Sequence, residues 1–366
     1  MIVLFPKMPV AIEIDPPLRA PFQWAGGKSR QISIIRQVFP STFQGRYIEP
    51  FLGAGTVLLD RLQAWDGQGV TFIAADLNDA LINFWVCLQQ VPKQLFQTLA
   101  NEEFNQYNAN DNLRKQTFNK LRDDFNFRQG TRQLTEPTPM NATRRRDVYF
   151  AALFFYLIKT SFNAIWRLSK DGRLTSGPGY AIRQLFDPIH LEKISKLLNR
   201  NNVQFLLMDF FQTVTFARPD DIIYCDPPYA SSKEISAAYA IQREDYDEIL
   251  FQTAIQQACE EMSQLDVAVI VSNADAPIIQ NLFRKWYKKR ITVSARMSNT
   301  SSKSNNELLI YNQKSKSLAT GHALKSAASP TTVVGNAQTS PITAPTLVMS
   351  LRNQNGLKLL RNRRPY

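Results

Sequence analysis

The tetrapeptide Asp226-Pro227-Pro228-Tyr229 directly follows Asp221-Ile222-Ile223-Tyr224-Cys225, a run short and apolar enough for a buried strand. Two successive prolines cannot donate to a sheet ladder and hold the chain extended, so pairing has to end there. Asp226, the Pro227 carbonyl and the Tyr229 ring then stand in fixed relation at the rim of a sheet. They form two acceptors beside an aromatic plate. Such a constellation suits a planar substrate bearing an amino group, whose two N–H bonds the acceptors take while the ring stacks on its face.

The rest of the chain supplies the sheet. Arg46 to Phe51, Thr71 to Asp76, Val203 to Asp209, Val267 to Asn273, Arg290 to Arg296 and Glu307 to Asn312 also read as short strands, and helical patterns fall at Asp79 to Gln90, Arg243 to Met262 and Ala276 to Trp286. Strands alternating with helices predict a mostly parallel α/β sheet. From about 91 to 202 the pattern turns helix-biased, broken by a loop around Thr135-Glu136-Pro137-Thr138-Pro139, which predicts a helical insert in a discontinuous α/β domain made of 21–90 and 203–312. Residues 1–20 read as a separate N-terminal segment.

Two further strand ends have ligand-binding character. Tyr47-Ile48-Glu49-Pro50-Phe51-Leu52-Gly53-Ala54-Gly55-Thr56 runs from a strand through a glycine turn into a helix, the place where nucleotide-like ligands sit because glycine lets backbone and ligand approach. Leu58 stands where a third glycine would complete GxGxxG, and no Gly-Lys-Ser/Thr follows, which argues against NAD and ATP. About twenty residues on, Asp76 ends the next strand, where a carboxylate can accept from both hydroxyls of a ribose. Its alternative role is to cap the helix that begins near Asn78 or Asp79.

Charge places the chain only coarsely. The net charge is +12, but after Glu307 there is no acid while Lys314, Lys316, Lys325, Arg352, Lys358, Arg361, Arg363 and Arg364 are basic, so eight of the twelve charges belong to the C-terminal segment. Residues 313–366 are rich in Ser, Thr, Ala, Pro and Asn, and read as a disordered basic tail. No apolar run approaches the roughly 18 residues of a membrane span. Met1-Ile2-Val3-Leu4-Phe5 is cut by Pro6-Lys7 and is too short for a secretory signal, so a cytoplasmic, monomeric protein with no membrane partner is expected. Cys87, Cys225 and Cys259 with only His190 and His322 offer no zinc-ligand spacing, so no metal is expected.

Taken in order, Phe22-Gln23-Trp24-Ala25-Gly26-Gly27-Lys28, Glu49-Pro50-Phe51-Leu52-Gly53-Ala54-Gly55, Ala75-Asp76-Leu77-Asn78, Asp209-Phe210 and Asp226-Pro227-Pro228-Tyr229 resemble the Dam-like (D12 class) DNA adenine-N6 methyltransferases, with the motif order of that family's α group. The resemblance spans about 21 to 312. It implies a Rossmann-like methyltransferase sheet, mostly parallel with one antiparallel edge strand, carrying an inserted helical DNA-recognition domain. S-adenosyl-L-methionine is the implied cofactor and an adenine flipped from double-stranded DNA the implied substrate. By position Trp24, Lys28, Glu49, Pro50, Phe51, Gly53, Gly55, Asp76, Asn78, Asp209, Phe210 and Asp226 look like the cofactor-binding set, and Asp226, Pro227, Pro228 and Tyr229 like the catalytic set.

In the insert, Ser161-Phe162-Asn163-Ala164-Ile165-Trp166-Arg167 resembles the family's DNA-reading segment, which makes Asn163, Arg167 and Arg173 candidates for DNA contact. After Gly172-Arg173-Leu174 the relatives continue into Asn-Val-Pro-x-Gly, whereas this chain runs Thr175-Ser176-Gly177-Pro178-Gly179, so a GATC target does not carry over on resemblance alone. Arg144-Arg145-Arg146 could grip phosphates or begin a solvated helix. The reading is a site-specific adenine-N6 DNA methyltransferase of the kind used in restriction-modification. Its rivals are an RNA or other amino-group methyltransferase, and a catalytically inactive DNA-binding relative.

Overall fold

The computed structural model describes residues 17–131, 147–169, 171–229, 248–293 and 305–320. Seven strands form one sheet: β1 Arg46–Glu49, β2 Thr71–Asp76, β3 Gln204–Leu207, β4 Ile222–Cys225, β5 Ala268–Ala274, β6 Tyr287–Val293 and β7 Asn305–Tyr311, in the order β3-β2-β1-β4-β5-β7-β6. The first five pair in parallel, and β7 runs antiparallel between β5 and β6. The antiparallel strand is therefore one place in from the edge, and the edge itself is β6. That edge strand begins at Tyr287, three residues before the expected Arg290, because Tyr287 pairs with Tyr311 of β7 and stacks on its ring at 5.7 Å.

Alternation along the central strands divides the core between two faces. Tyr47, Phe72, Ala74, Ile222, Tyr224, Ala268 and Ile270 point to one side, and Ile48, Ile73, Ala75, Ile223, Cys225, Val269 and Val271 to the other. Both faces are covered by helices. In chain order these are α1 Ile32–Ile35, α2 Thr56–Ala64, α3 Asp79–Gln90, α4 Pro92–Leu99, α5 Asp111–Thr131, α6 Val148–Thr160, α7 Pro188–Arg200, α8 Phe210–Thr213, α9 Glu248–Gln264, α10 Pro277–Leu282 and α11 Gln313–Ala319. Among the described residues no helix is long and apolar enough to cross a membrane.

The 91–202 stretch supplies α4 to α7. Its centre is α6, apolar on every side and buried from Phe150 to Ile158, as a helix surrounded by other helices must be. Asp147 caps it by accepting from the Phe150 amide at 2.9 Å. Asn83 of α3 clamps that same cap, donating to the Asp147 carbonyl at 2.8 Å and accepting from its amide at 3.1 Å. Phe155 stacks on Phe84 of α3 at 5.2 Å, and Phe154 and Phe155 both meet Phe22 edge-on, so the insert shares the core of one sheet face. Helix α7 lies against α2 and α3, in the layer over the sheet.

The C-terminal boundary needs a correction. The basic tail does not begin at the expected residue 313, because α11 is folded and Ser315 within it is buried. Asn312 holds it in place: its Oδ1 accepts from the Val269 amide at 3.1 Å and the Ser315 amide at 3.0 Å, and its Nδ2 donates to the Val267 carbonyl at 2.8 Å. Lys314 pairs with Asp220 at 2.8 Å and Asp266 at 2.6 Å. The remainder of the tail, most of the N-terminal segment, the Pro137 loop and the Arg144-Arg145-Arg146 run lie outside the described residues.

Candidate active site

The strand order reverses between β1 and β4, so their carboxyl ends lie side by side and open a crevice at the rim. Glu49 ends β1 and Asp226 follows β4. On the far side of β1, Asp76 ends β2, and Asp209 lies two residues beyond Leu207, the partner of Asp76 on β3. Four of the acids singled out from sequence therefore line one rim.

Gly53 and Gly55 both have positive φ, at 49° and 68°. Their small size is required by the protein's own tryptophans: a Cβ on Gly53 would lie 3.0 Å from Trp24 and one on Gly55 2.7 Å from Trp85. This places Trp24 on the β1 turn, and the Gly53 amide donates to Asp76 Oδ2 at 3.0 Å. Asp76 Oδ1 accepts from the Asn78 amide at 3.0 Å. The helix cap is Asn78, whose Oδ1 accepts from the Leu81 amide at 3.1 Å, so Asp76 is left for the crevice. Burial raises the Asp76 carboxyl above its ordinary value, against those backbone donors.

Asp209 likewise caps a helix, accepting from the Gln212 amide at 2.8 Å, and Phe210 stacks on Phe51 with ring centroids 5.3 Å apart. That pair forms an aromatic wall beside Pro50. Glu49 is 2% exposed and accepts from the Tyr47 hydroxyl at 2.6 Å. Burial pushes its carboxyl up to about 8 despite the Tyr47 hydrogen bond, with the charges of Asp226 and Asp76 adding and Lys28 opposing.

At Asp226 the Oδ2 oxygen meets Lys28 Nζ at 2.7 Å, while Oδ1 is buried and has no hydrogen-bond partner among the described residues. Lys28 is 3% exposed, also donates to the Gly26 carbonyl at 2.5 Å, and lies 4.9 Å from the centre of the Tyr229 ring. Burial raises the Asp226 carboxyl to about 6, Lys28 holds it down, and Glu307 pushes it further up. Gln252 of α9 donates to the Pro228 carbonyl at 2.8 Å and is itself held by Asn273 of β5 at 2.9 Å, which fixes the loop from behind. The Tyr229 hydroxyl donates to Glu307 Oε2 at 2.9 Å.

The DNA candidates lie on a small hairpin. Leu168 and Leu174 bridge antiparallel, the Thr175 amide donates to the Arg167 carbonyl at 2.8 Å, and the Ser169 amide to the Arg173 carbonyl at 2.8 Å. Leu174 is buried, so alternation turns Arg167 and Arg173 outward on the same face, and both are exposed. Asn126 of α5 docks the hairpin through both polar groups of Leu174, at 3.1 and 2.7 Å. Asn163 is exposed in a left-handed turn at φ 55°, and Trp166 is buried between Phe125 and Phe154. Phe154 also touches Trp24, so one ring links the hairpin's base to the crevice.

A family model described as D12 class N6 adenine-specific DNA methyltransferase matches residues 24–299. The chain belongs to that family. It is 28% identical over 242 residues to the Type II methyltransferase M.MjaIII of Methanocaldococcus jannaschii, covering 65% of this chain and 76% of that one. It is 27% identical over 270 residues to the DNA adenine methylase of Vibrio cholerae, covering 73% and 85%. With the Type II methyltransferase M1.LlaDCHI of Lactococcus lactis it shares 24% over 272 residues, covering 74% and 86%.

In this D12 class methyltransferase the rim acids and the Asp226-Pro227-Pro228-Tyr229 loop converge, while Asn163, Arg167 and Arg173 form a second group on the insert. Sequence reasoning missed Gln252 and Glu307, which hold the loop from other elements, and Asn273 and Gln31, which bond those two in turn. Cys225 points away from the crevice into the opposite core beside Cys259, and burial lifts its thiol well above the ordinary value, so it is packing and not a nucleophile.

Proposed function

We propose that this adenine-specific methyltransferase transfers a methyl group from S-adenosyl-L-methionine to the N6 amino group of an adenine turned out of double-stranded DNA. The observation that carries the reading is the buried Oδ1 of Asp226, unpartnered among the described residues, beside a lysine that favours the ionised carboxylate and an aromatic ring. A buried acceptor without a donor is costly, and an amino N–H is the group it lacks.

The residues along the rim suit the cofactor. The Asp76 carboxylate accepts from the Gly53 and Asn78 amides and has acceptor capacity left that would take ribose hydroxyls. Phe51 and Phe210 would face a purine, with Asp209 close by, and Trp24, Pro50, Gly53, Gly55 and Asn78 would close the walls. Asp226 puts negative charge where a cationic methionine moiety would lie, with the Glu49 carboxyl beside it. When bound, S-adenosyl-L-methionine supplies an electrophilic methyl group on a sulfonium sulfur.

The chain's own residues supply the positioning. Asp226 Oδ1 and the Pro227 carbonyl would accept hydrogen bonds from the two N6 hydrogens, directing the nitrogen lone pair toward the methyl carbon. As N6 gains that carbon the carbon–sulfur electron pair would stay with the sulfur, and N6 would give up one proton to Asp226 or to solvent. Tyr229 would stack on the flipped base, with Pro228 keeping the loop extended. No covalent intermediate with the protein is needed. Asn163, Arg167 and Arg173 would contact the duplex, Arg167 as a reader of guanine in the major groove.

Incubating the protein with duplex DNA and labelled cofactor, then digesting to nucleosides, tests the proposal. N6-methyldeoxyadenosine is the expected product. Label on cytosine, or on RNA in preference to duplex DNA, overturns it.

A further inference from the structure

We propose that Glu307 is a positioning residue for methyl transfer: from β7 it orients the Tyr229 ring and, through Gln31, the turn that brings Lys28 to Asp226. The proposal rests on the methyltransferase reading above. Glu307 lies beyond the 24–299 stretch that matches the family.

The contacts close a circuit of three distant segments. Glu307 Oε2 accepts from the Tyr229 hydroxyl at 2.9 Å, and Oε1 accepts from Gln31 Nε2 at 3.1 Å. The Gln31 amide donates to the Lys28 carbonyl at 3.0 Å, so those two residues share one backbone turn. Lys28 then returns to the loop, 2.7 Å from Asp226 Oδ2 and 4.9 Å from the Tyr229 ring centre. Glu307 itself pairs with Ala274 of β5 on one side and Ile291 of β6 on the other, so it stands on an inner strand fixed by both neighbours. A carboxylate has two oxygens with spread lone pairs, and here one oxygen serves each segment.

This anchoring has a chemical consequence. The Asp226-Pro227-Pro228-Tyr229 loop ends β4 and has no strand partner among the described residues, so the ring that would stack on the substrate needs an external fix. A shift of about 1 Å in such a group can cost on the order of a hundredfold in rate. Glu307 also has an electrostatic effect. Asp226 is faced by Lys28 on the N-terminal turn, Glu49 at the end of β1, Tyr224 and Cys225 of its own strand, Tyr229 of its own loop, and Glu307 on β7. Glu307 opposes the ionisation of Asp226 and Lys28 favours it.

The test is a kinetic series on the full chain with duplex DNA: wild type, Glu307→Gln, Glu307→Ala, Tyr229→Phe and the Tyr229→Phe/Glu307→Ala double variant, each also followed by thermal melting. Glu307→Ala is expected to lower kcat by about tenfold, the worth of one hydrogen bond to a charged group, as the Tyr229 ring loses its anchor. The double variant should lose no more than the worse single variant, since both changes break the same contact. In Glu307→Gln, which keeps the shape, the acid limb of the pH–rate profile should move to lower pH as a negative neighbour of Asp226 is removed. An active wild type whose Glu307→Gln variant keeps both kcat and acid limb overturns the proposal. So does a loss of rate that is uniform with pH, additive with Tyr229→Phe and matched by a lower melting temperature, which is a structural role. A wild type that does not methylate adenine overturns the underlying reading, and the proposal with it.

Discussion

Lys28 Nζ lies 2.7 Å from Asp226 Oδ2 and leaves the other carboxylate oxygen of Asp226 buried and, among the described residues, unpartnered. The relationship divides the carboxylate into an oxygen that is held and an oxygen that can accept from a substrate. It also governs when that acceptor is charged. Burial alone drives Asp226 toward the protonated form, and Lys28 is the largest opposing influence, leaving the group at about 6.

Replacing Lys28 with Met therefore raises the Asp226 value further, and the acid limb of the pH–rate profile moves upward into the neutral range. Activity at pH 7 should fall while activity at pH 9 recovers in part. A profile whose acid limb stays in place contradicts the pairing as the control on Asp226.

Glu49 makes a separate claim about stability. Its folded value of about 8 lies above the ordinary 4.5, so the folded state holds a proton that the unfolded state has released between those values. Stability must then fall as pH rises from 4.5 toward 8, at up to about 1.4 kcal/mol per pH unit for this group. Glu49→Gln removes that slope. Urea unfolding of the cofactor-free protein at pH 5, 6, 7 and 8 reads it directly, and equal slopes for the two proteins sink the assignment.

Truncation separates the folded end of the domain from the residues after it. Removing 321–366 should leave the melting temperature unchanged, because α11 and its anchors Asn312, Lys314 and Ser315 all remain. Removing 313–366 should lower it, because Asn312 loses the Ser315 amide and the Asp220 and Asp266 carboxylates lose Lys314. Equal melting temperatures would show that α11 contributes nothing to the fold.

The hairpin predicts two different failures. Arg167→Ala removes an exposed side chain and should relax discrimination at one base position by about 1 to 3 kcal/mol. Asn126→Ala unties the backbone of Leu174 and should depress methylation on every duplex alike. Rates on a panel of single-base-substituted duplexes distinguish them, and a uniform drop for Arg167→Ala takes that residue out of the reading set.

Legibility in the sequence followed the range of the interactions. The strands could be read because each central one alternates between two apolar faces, and the site motifs because each is a contiguous strand end: Glu49 to Gly55, Asp76 to Asn78, Asp226 to Tyr229. The antiparallel strand's place was missed because an order such as β5-β7-β6 depends on pairing between segments, not on any one segment's pattern. Helix α11 was hidden because a polar network around Asn312 holds it instead of an apolar stripe. Glu307 and Gln252 carry no local signal, since each acts on the loop from another element, and Gln31 carries none because its partner Glu307 is distant in the chain. The two glycines stand out in the sequence as special positions, yet the reason lies in Trp24 and Trp85, which only the folded chain brings against them.

Asp226→Ala tests the central claim most directly, with turnover on duplex DNA measured beside cofactor affinity, DNA affinity and thermal melting. Turnover is expected to vanish while the fold and DNA binding persist, because the change removes the acceptor for the target amino group and no phosphate contact. A folded variant that kept more than about a tenth of wild-type turnover, a loss below roughly 1.4 kcal/mol of transition-state stabilisation, would contradict it.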